Sequence, residues 1–291
     1  MRTRTSLVFT VVLAASCAAS AAVADPVVPD VLGNDGRHGL TAVGLTSDQR
    51  LVRFDVDRPS TVRSLGWVSG LSGDTELVGI DYRVQDSRLY GVGDQGGIYT
   101  LNTRTAMATK VSQLTAALSG TSFGVDFNPA ANRLRVISDT GQNLRHNVDD
   151  PAAPFTTTVD GTLTNPTAPP STAMGVTGAA YTNNDLDAAT ATTLFDIDTM
   201  ADRVSLQSPA NSGTLAPTGT LGVDAGPEAG FDIYYDARRG SNHGFAVLAH
   251  NGLFRLYGVD PLTGKATHKG AFPMGHQVED LALPVNQRQA G

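Results

Sequence analysis

The sequence predicts an all-β fold, a β-propeller of four-stranded blades, on three observations. Short apolar runs are broken by 31 glycines and 15 prolines, with little helical periodicity between them. One strand–turn–strand pattern returns along the chain. Apolar strands with a central glycine, at Gly79, Gly124, Gly178 and Gly230, recur every 45 to 54 residues, which is blade spacing.

Segment 39–54 reads as a hairpin, and 88–101, 133–148 and 244–259 repeat it. Alternation of residue types along each strand turns one face inward. Gly141, and Asn251 with Gly252, supply the left-handed backbone that a tight hairpin needs. A second turn follows, clearest at 260–264 and looser at 57–59 and 102–105, and leads to another strand such as 62–68 or 266–271. The glycine-bearing strands at 76–82, 122–127 and 229–234 stand before hairpins, and 175–181 opens a more degenerate unit running through 193–198.

The N-terminal hairpin has no such strand ahead of it, but 278–283 supplies one in phase. That predicts five blades, one of them closed by a C-terminal strand joining three N-terminal strands. Closure removes two free strand edges that would template aggregation. A sixth blade would have to hide in 150–172, whose five prolines read as a loop. The best helix candidate is 110–118.

Residues 1–24 read as a signal peptide: Arg2 and Arg4, an apolar run at 7–13, then small residues up to an A-x-A site at 22–24. The apolar stretch is too short for a transmembrane segment. Residues 25–38 read as a linker, 39–284 as the propeller domain and 285–291 as a tail, in a secreted or periplasmic protein. Cys17, the sole cysteine, fits a lipid-anchoring motif poorly, because Leu13 falls one place too early. The chain beyond it has no thiol for disulfides, nucleophilic attack or metal binding. The net charge is −7, and the only lysines are Lys110, Lys265 and Lys269, a balance that argues against nucleic acid.

Segment 122–145, SFGVDFNPAANRLRVISDTGQNLR, resembles the hallmark of a bacterial secreted family catalogued as domain of unknown function 4394. GLTSDQRLVRFD at 44–55, VDG at 159–161 and YTNN at 181–184 are similar to it too, and the likeness runs over about 40–283. The resemblance implies an exported, propeller-like protein and brings no catalytic residues with it.

Motifs that carry chemistry elsewhere meet the wrong context here. The G-x-G-x-x-G match at 91–96 runs from strand to strand, whereas a dinucleotide site needs a helix after the glycines. The G-x-S-x-G match around Ser122 runs into a strand instead of a helix. His38, His146, His243, His250, His268 and His276 show no metal-ligand spacing. Asp185, Asp187, Asp196 and Asp198 read as turn carboxylates, and Trp67 is a lone tryptophan, weak support for a sugar platform.

Two constellations are left. Asp81, Asp126 and Asp232 recur on the glycine-bearing strands, with Asp280 and Glu279 near the corresponding place at 278–283. Such strands line a propeller's axis, so these carboxylates either hold a cation such as Ca²⁺, with Asn128 as a further oxygen donor, or take structural bonds. The structural partners would be backbone N–H groups of the neighbouring blade, Arg83 or Arg133. Arg133, Arg135, Asn143 and Arg145 form an arginine-rich hairpin, suited either to a carboxylate, phosphate or sugar acid or to inter-blade ion pairs.

The leading expectation is an exported, non-catalytic binding or scaffold module whose partner is a small molecule, a glycan or an envelope protein. The alternative is a cation-dependent hydrolase or lyase working at the channel mouth through Asp81, Asp126, Asp232 and Asp280.

Overall fold

The computed structural model describes residues 39–149, 155–187 and 189–285. The expected leader 1–24 with Cys17, the linker 25–38 and residues 286–291 of the tail lie outside the described residues. The one helical element among the described residues is a 3-10 turn at Ala210–Ser212. No described helix is long and apolar enough to cross a membrane.

The first blade contains β1 (Thr41–Thr46), β2 (Arg50–Asp55) and β3 (Arg58–Trp67). The second is β4 (Leu77–Arg83), β5 (Arg88–Gly93), β6 (Gly97–Leu101) and β7 (Ala108–Gln113). The third is β8 (Phe123–Asn128), β9 (Arg133–Ser138), β10 (Asn143–His146) and β11 (Thr157–Val159), followed by a ribbon of β12 (Thr164–Asn165) and β13 (Ser171–Thr172). The fourth is β14 (Val176–Tyr181), β15 (Leu194–Asp198), β16 (Arg203–Gln207) and β17 (Leu215–Thr220). The fifth is β18 (Ala229–Asp236), β19 (Ser241–His250), β20 (Leu253–Val259) and β21 (Ala266–Ala271). The last strand, β22 (Val278–Ala282), pairs antiparallel with β1 and completes the first blade in the order β22-β1-β2-β3. The fold is a five-bladed β-propeller closed by its C-terminal strand, with antiparallel pairing throughout the blades.

The inner strands β4, β8, β14, β18 and β22 each pack against the next, and β22 returns to β4. Apolar clusters fill the seams between blades. Phe54, Val247, Val278 and Leu281 lie between the fifth and first blades. Leu51, Ile80 and Tyr99 lie between the first and second, and Tyr90, Val125 and Phe127 between the second and third. The third–fourth seam is mixed: Ile137, Tyr181 and Leu194 share it with buried Arg135 and Asp196.

The hairpin turns take the backbone expected of them, with positive φ at Gly141, Asn251 and Gly252. Three expectations need correction. Segment 110–118 is not a helix, because residues up to Gln113 form the edge strand β7, where Thr109 and Val111 favour extended backbone and β6 offers a ladder. Segment 150–172 is not all loop, because β11 supplies the outer strand of the third blade and β12 and β13 follow. Asp196 and Asp198 are not turn residues but buried positions of β15.

The recurring glycines answer to crowding between inner strands. A Cβ at Gly230 would sit 2.5 Å from Asp280 Cα and 2.6 Å from the Glu279 carbonyl oxygen, both backbone atoms that cannot swing aside. Gly230→Ala is therefore expected to destabilise the ring by about 2–3 kcal/mol, read by urea unfolding. Gly275→Ala, where a Cβ meets nothing within 4 Å, is the control and should be near neutral.

Candidate functional site

Strand register fixes what each inner strand presents near the axis. Gly79, Gly124, Gly178 and Gly230 stand opposite Val92, Ile137, Ile197 and Val247, and on β22 the residue at this level, opposite Leu45, is Asp280. Two residues further along are Asp81, Asp126, Ala180, Asp232 and Ala282, opposite Tyr90, Arg135, Phe195, Phe245 and Val43. Asp280 thus belongs to the glycine layer, one layer away from the other three aspartates.

The glycines make room for that one carboxylate. Cβ atoms at Gly230 and Gly79 would lie 2.7 Å and 3.3 Å from its oxygens. Asp280 accepts the Ile80 N–H at 2.7 Å and the Leu281 N–H at 2.9 Å. Burial, with Asp232 and Glu279 nearby, still pushes its pKa up to about 8.

Asp81, Asp126 and Asp232 are 3%, 1% and 2% exposed, and each offers an oxygen within 4.8 Å of the others. Asp81 accepts the Tyr82 N–H at 2.6 Å and, from the next blade, the Phe127 N–H at 2.7 Å. Asp232 accepts the Ile233 N–H at 2.5 Å and, from β22 onward, the Leu283 N–H at 2.6 Å. The Tyr181 N–H acts on Asp126 in the same sense, but neither Asp126 oxygen has a partner of ordinary hydrogen-bond geometry. Burial raises all three, Asp232 to about 7 and Asp81 and Asp126 well above the carboxylate range, the latter two also through repulsion within the trio. Arg83 is engaged elsewhere, on Asp86, Asp149 and Asn132. Arg133 donates to the carbonyls of Ala131 and Asn132.

At the glycine end of the axis lies an open-mouthed cavity of about 240 Å³ whose lining includes Glu76, Glu228, Glu279, Asp280, Gln49 and Ser122. Burial, then Glu228, Glu76 and Asp48, push Glu279 up to about 7. Gln49 is pinned beside the mouth, accepting the Leu77 N–H at 2.8 Å and donating to the Leu77 carbonyl at 3.1 Å. Sequence reasoning missed Glu76 and Glu228. Their one signal is position, three and two residues ahead of the glycines of their strands. A larger hollow on the rim, near Lys110, Gln113 and Phe155, is shallow and brings no such cluster together.

Residues 50–282 match the family model described as a domain of unknown function, DUF4394. The chain belongs to the DUF4394 family. No curated protein matches this DUF4394 chain. Among solved structures, an auxiliary nutrient binding protein from Bacteroides ovatus is similar at 12% identity over 71% of this chain and 55% of that one, with a TM-score of 0.43. A protein of unknown function from Bacteroides thetaiotaomicron is similar at 14% identity over 84% and 64% of the two chains, with a TM-score of 0.44. A protein from Lactobacillus plantarum is similar at 16% identity over 79% and 66%, with a TM-score of 0.42. The DUF4394 chain thus spans between about half and two thirds of the length of these structures.

The DUF4394 hallmark segment builds a seam. Arg135, 1% exposed, donates to Tyr181 Oη at 3.2 Å, Asn143 Oδ1 at 2.7 Å, Asp160 Oδ2 at 2.6 Å and Asn211 Oδ1 at 2.8 Å. Asn143 donates onward to the carbonyls of Gly161 and Ala210. Arg145, half-buried, grips the same Asp160 through both carboxylate oxygens. Arg135, Asn143 and Arg145 thus form one network with groups of their own chain, while the Arg133 bonds go to the carbonyls of Ala131 and Asn132.

The remaining sequence candidates scatter. The 91–96 match is the β5–β6 hairpin, and Ser122 leads straight into β8. His146 is buried between Ser112 Oγ at 2.7 Å and Thr157 Oγ1 at 2.9 Å. Trp67 is exposed and lies 4.0 Å from the Arg50 guanidinium.

Proposed function

We propose that this protein is an extracytoplasmic, non-catalytic binding module that takes a small cationic group at the acidic mouth of its axial channel. The observation that carries the reading is the convergence of Glu76, Glu228, Glu279 and Asp280, from three blades, on one cavity at the end of a closed ring. A cleft lined by one sign of charge raises the local concentration of the opposite sign. Its size supports the same reading. About 240 Å³ is below the roughly 300–1,000 Å³ of sites for drug-sized ligands, so it suits an ammonium-bearing tip better than a whole sugar. The buried arginine seam, with its donors directed to the chain's own groups, gives less support to an anionic ligand. The leader-like residues 1–24 support export. A hydrolase or lyase finds no support in the burial of Asp81, Asp126 and Asp232, since a catalytic metal needs a position open to substrate.

The test is calorimetric titration of the full chain with 1,4-diaminobutane. Saturable one-site binding is expected at pH 8.5, weakened several-fold by Glu228→Gln. Glu279 and Asp280 hold protons until about pH 7 and 8, and the carboxylates around them are Glu76, Glu228, Asp48 and Asp232. Charge at the mouth therefore grows as pH rises, and affinity at pH 5.5 should be about tenfold lower. Absence of saturable binding at pH 8.5 would sink the reading.

A further inference from the structure

We infer that Asp81, Asp126 and Asp232 hold one divalent cation of the calcium class on the propeller axis, a site separate from the mouth. Three features carry this. First, the three carboxylates come from three different blades and offer oxygens that all lie within 4.8 Å of one another. A cation with ligand distances of about 2.3–2.6 Å and flexible coordination can bridge oxygens within that limit, whereas Mg²⁺ gives up its waters reluctantly and suits a site shielded from solvent less well. Second, the Asp126 carboxylate is fully buried, offers an oxygen to the cluster and has no hydrogen-bond partner of ordinary geometry for either oxygen, the Tyr181 N–H being the backbone group that acts on it. A buried polar group left so is costly unless an ion or water completes it. Third, Asp81 and Asp232 are pre-aimed, each fixed by an N–H of its own strand and one from the neighbouring blade, Phe127 on β8 for Asp81 and Leu283 just past β22 for Asp232. Those bonds use one lone pair per oxygen and leave others for a metal.

The neighbouring cation does not do this work. Arg135 stands opposite Asp126 across the β8–β9 ladder, yet its guanidinium reaches outward to Asn143, Asp160 and Asn211. Ala180 and Ala282 fill the two remaining places of the layer without adding charge, which leaves three carboxylates facing one another. A bound cation would be shielded from solvent, so its role is to cross-link three blades. Asn128 lies two residues beyond Asp126 on β8, with its side chain linked to Tyr181, and is not part of the cluster.

The experiment uses the full chain, freed of metal by chelator dialysis at pH 7.5 and titrated with CaCl₂ or MgCl₂. Expected are one Ca²⁺ bound per chain, a rise in melting temperature with Ca²⁺ that Mg²⁺ does not match, and loss of both effects in Asp126→Asn. Asp126→Asn should still fold, and in chelator it should melt no lower than the wild-type protein, because it removes a buried ionisable group and keeps an acceptor oxygen for the Tyr181 N–H. Glu228→Gln, at the mouth, should bind Ca²⁺ like the wild type. No stoichiometric Ca²⁺ at pH 7.5 would mean that the trio shares protons instead, and would overturn the proposal. So would binding that survives Asp126→Asn but is lost in Glu228→Gln, which would place the ion at the mouth.

Discussion

Deleting residues 278–291 is expected to abolish cooperative folding of the propeller. The closing strand contributes Val278 and Leu281 to the seam between the fifth and first blades, and Ala282 to the seam between the first and second. Val278, Leu281, Ala282 and Leu283 are each no more than 3% exposed. Full burial of a large aliphatic side chain is worth about 1.5–3 kcal/mol, so losing this set removes several kcal/mol from a domain total of about 5–15 kcal/mol. The loss does not stop at packing. Deletion frees the edge of β1, leaves β18 and β4 without their shared neighbour, and takes away the Leu283 N–H that Asp232 accepts. Asp280 leaves too, so the glycine layer loses the one side chain that fills it. Circular dichroism melts and size-exclusion chromatography of the truncated chain should show aggregation or a broad, non-cooperative transition. A soluble monomer with an unchanged melting temperature would contradict closure by this strand.

That strand also shows how much of the fold the sequence discloses. The repeat of glycine-bearing strands gives the blade count, because crowding at the axis imposes the same small residue in four blades. The closing segment is found because a ring needs it and because its alternation matches. Its register is less legible. Period-two alternation tells which face a residue takes, but a slide by two residues leaves the face unchanged. Asp280 therefore looks equivalent to Asp81 and Asp126, when Ala282 is. Pairing overrode local preference at 110–113, where the edge ladder of β7 wins, and at 157–159, where a three-residue strand fits between proline-rich stretches. Asp196 misled for another reason. An Asp-x-Asp pair in a degenerate unit reads as turn carboxylates, and only the opposing blade, which brings Arg135 near, shows what Asp196 faces inside. The acidic mouth was not legible as a motif, since Glu76 and Glu228 gather only when β4 and β18 meet β22 around the axis.

Replacing Arg135 should cost the third–fourth seam more than any other single change in the hallmark segment. Its guanidinium joins β9 to Tyr181 at the end of β14, to Asp160 beyond β11 and to Asn211 in the 3-10 turn, with almost no exposure to water. Breaking one partner of a buried ionic network typically costs about 3–5 kcal/mol, because the groups left behind are neither paired nor hydrated. Asp196 makes the cost concrete. Burial raises its pKa well above the usual range, Arg135 is the charge that opposes the rise, and neither Asp196 oxygen has a hydrogen-bond partner. Arg135→Met is thus expected to lower stability by about 3–5 kcal/mol, or roughly 10 °C in Tm for a domain of this size. Arg135→Lys should recover little, since a point charge cannot reach Tyr181, Asn143, Asp160 and Asn211 from one fixed plane. Arg145→Ala, at a half-buried position whose partner Asp160 keeps Arg135, should cost about 1 kcal/mol or less. Urea unfolding of the three variants checks the order. If Arg135→Met unfolded like the wild type, the network would not be structural, and its arginines would have to be explained by a ligand that they meet in solution.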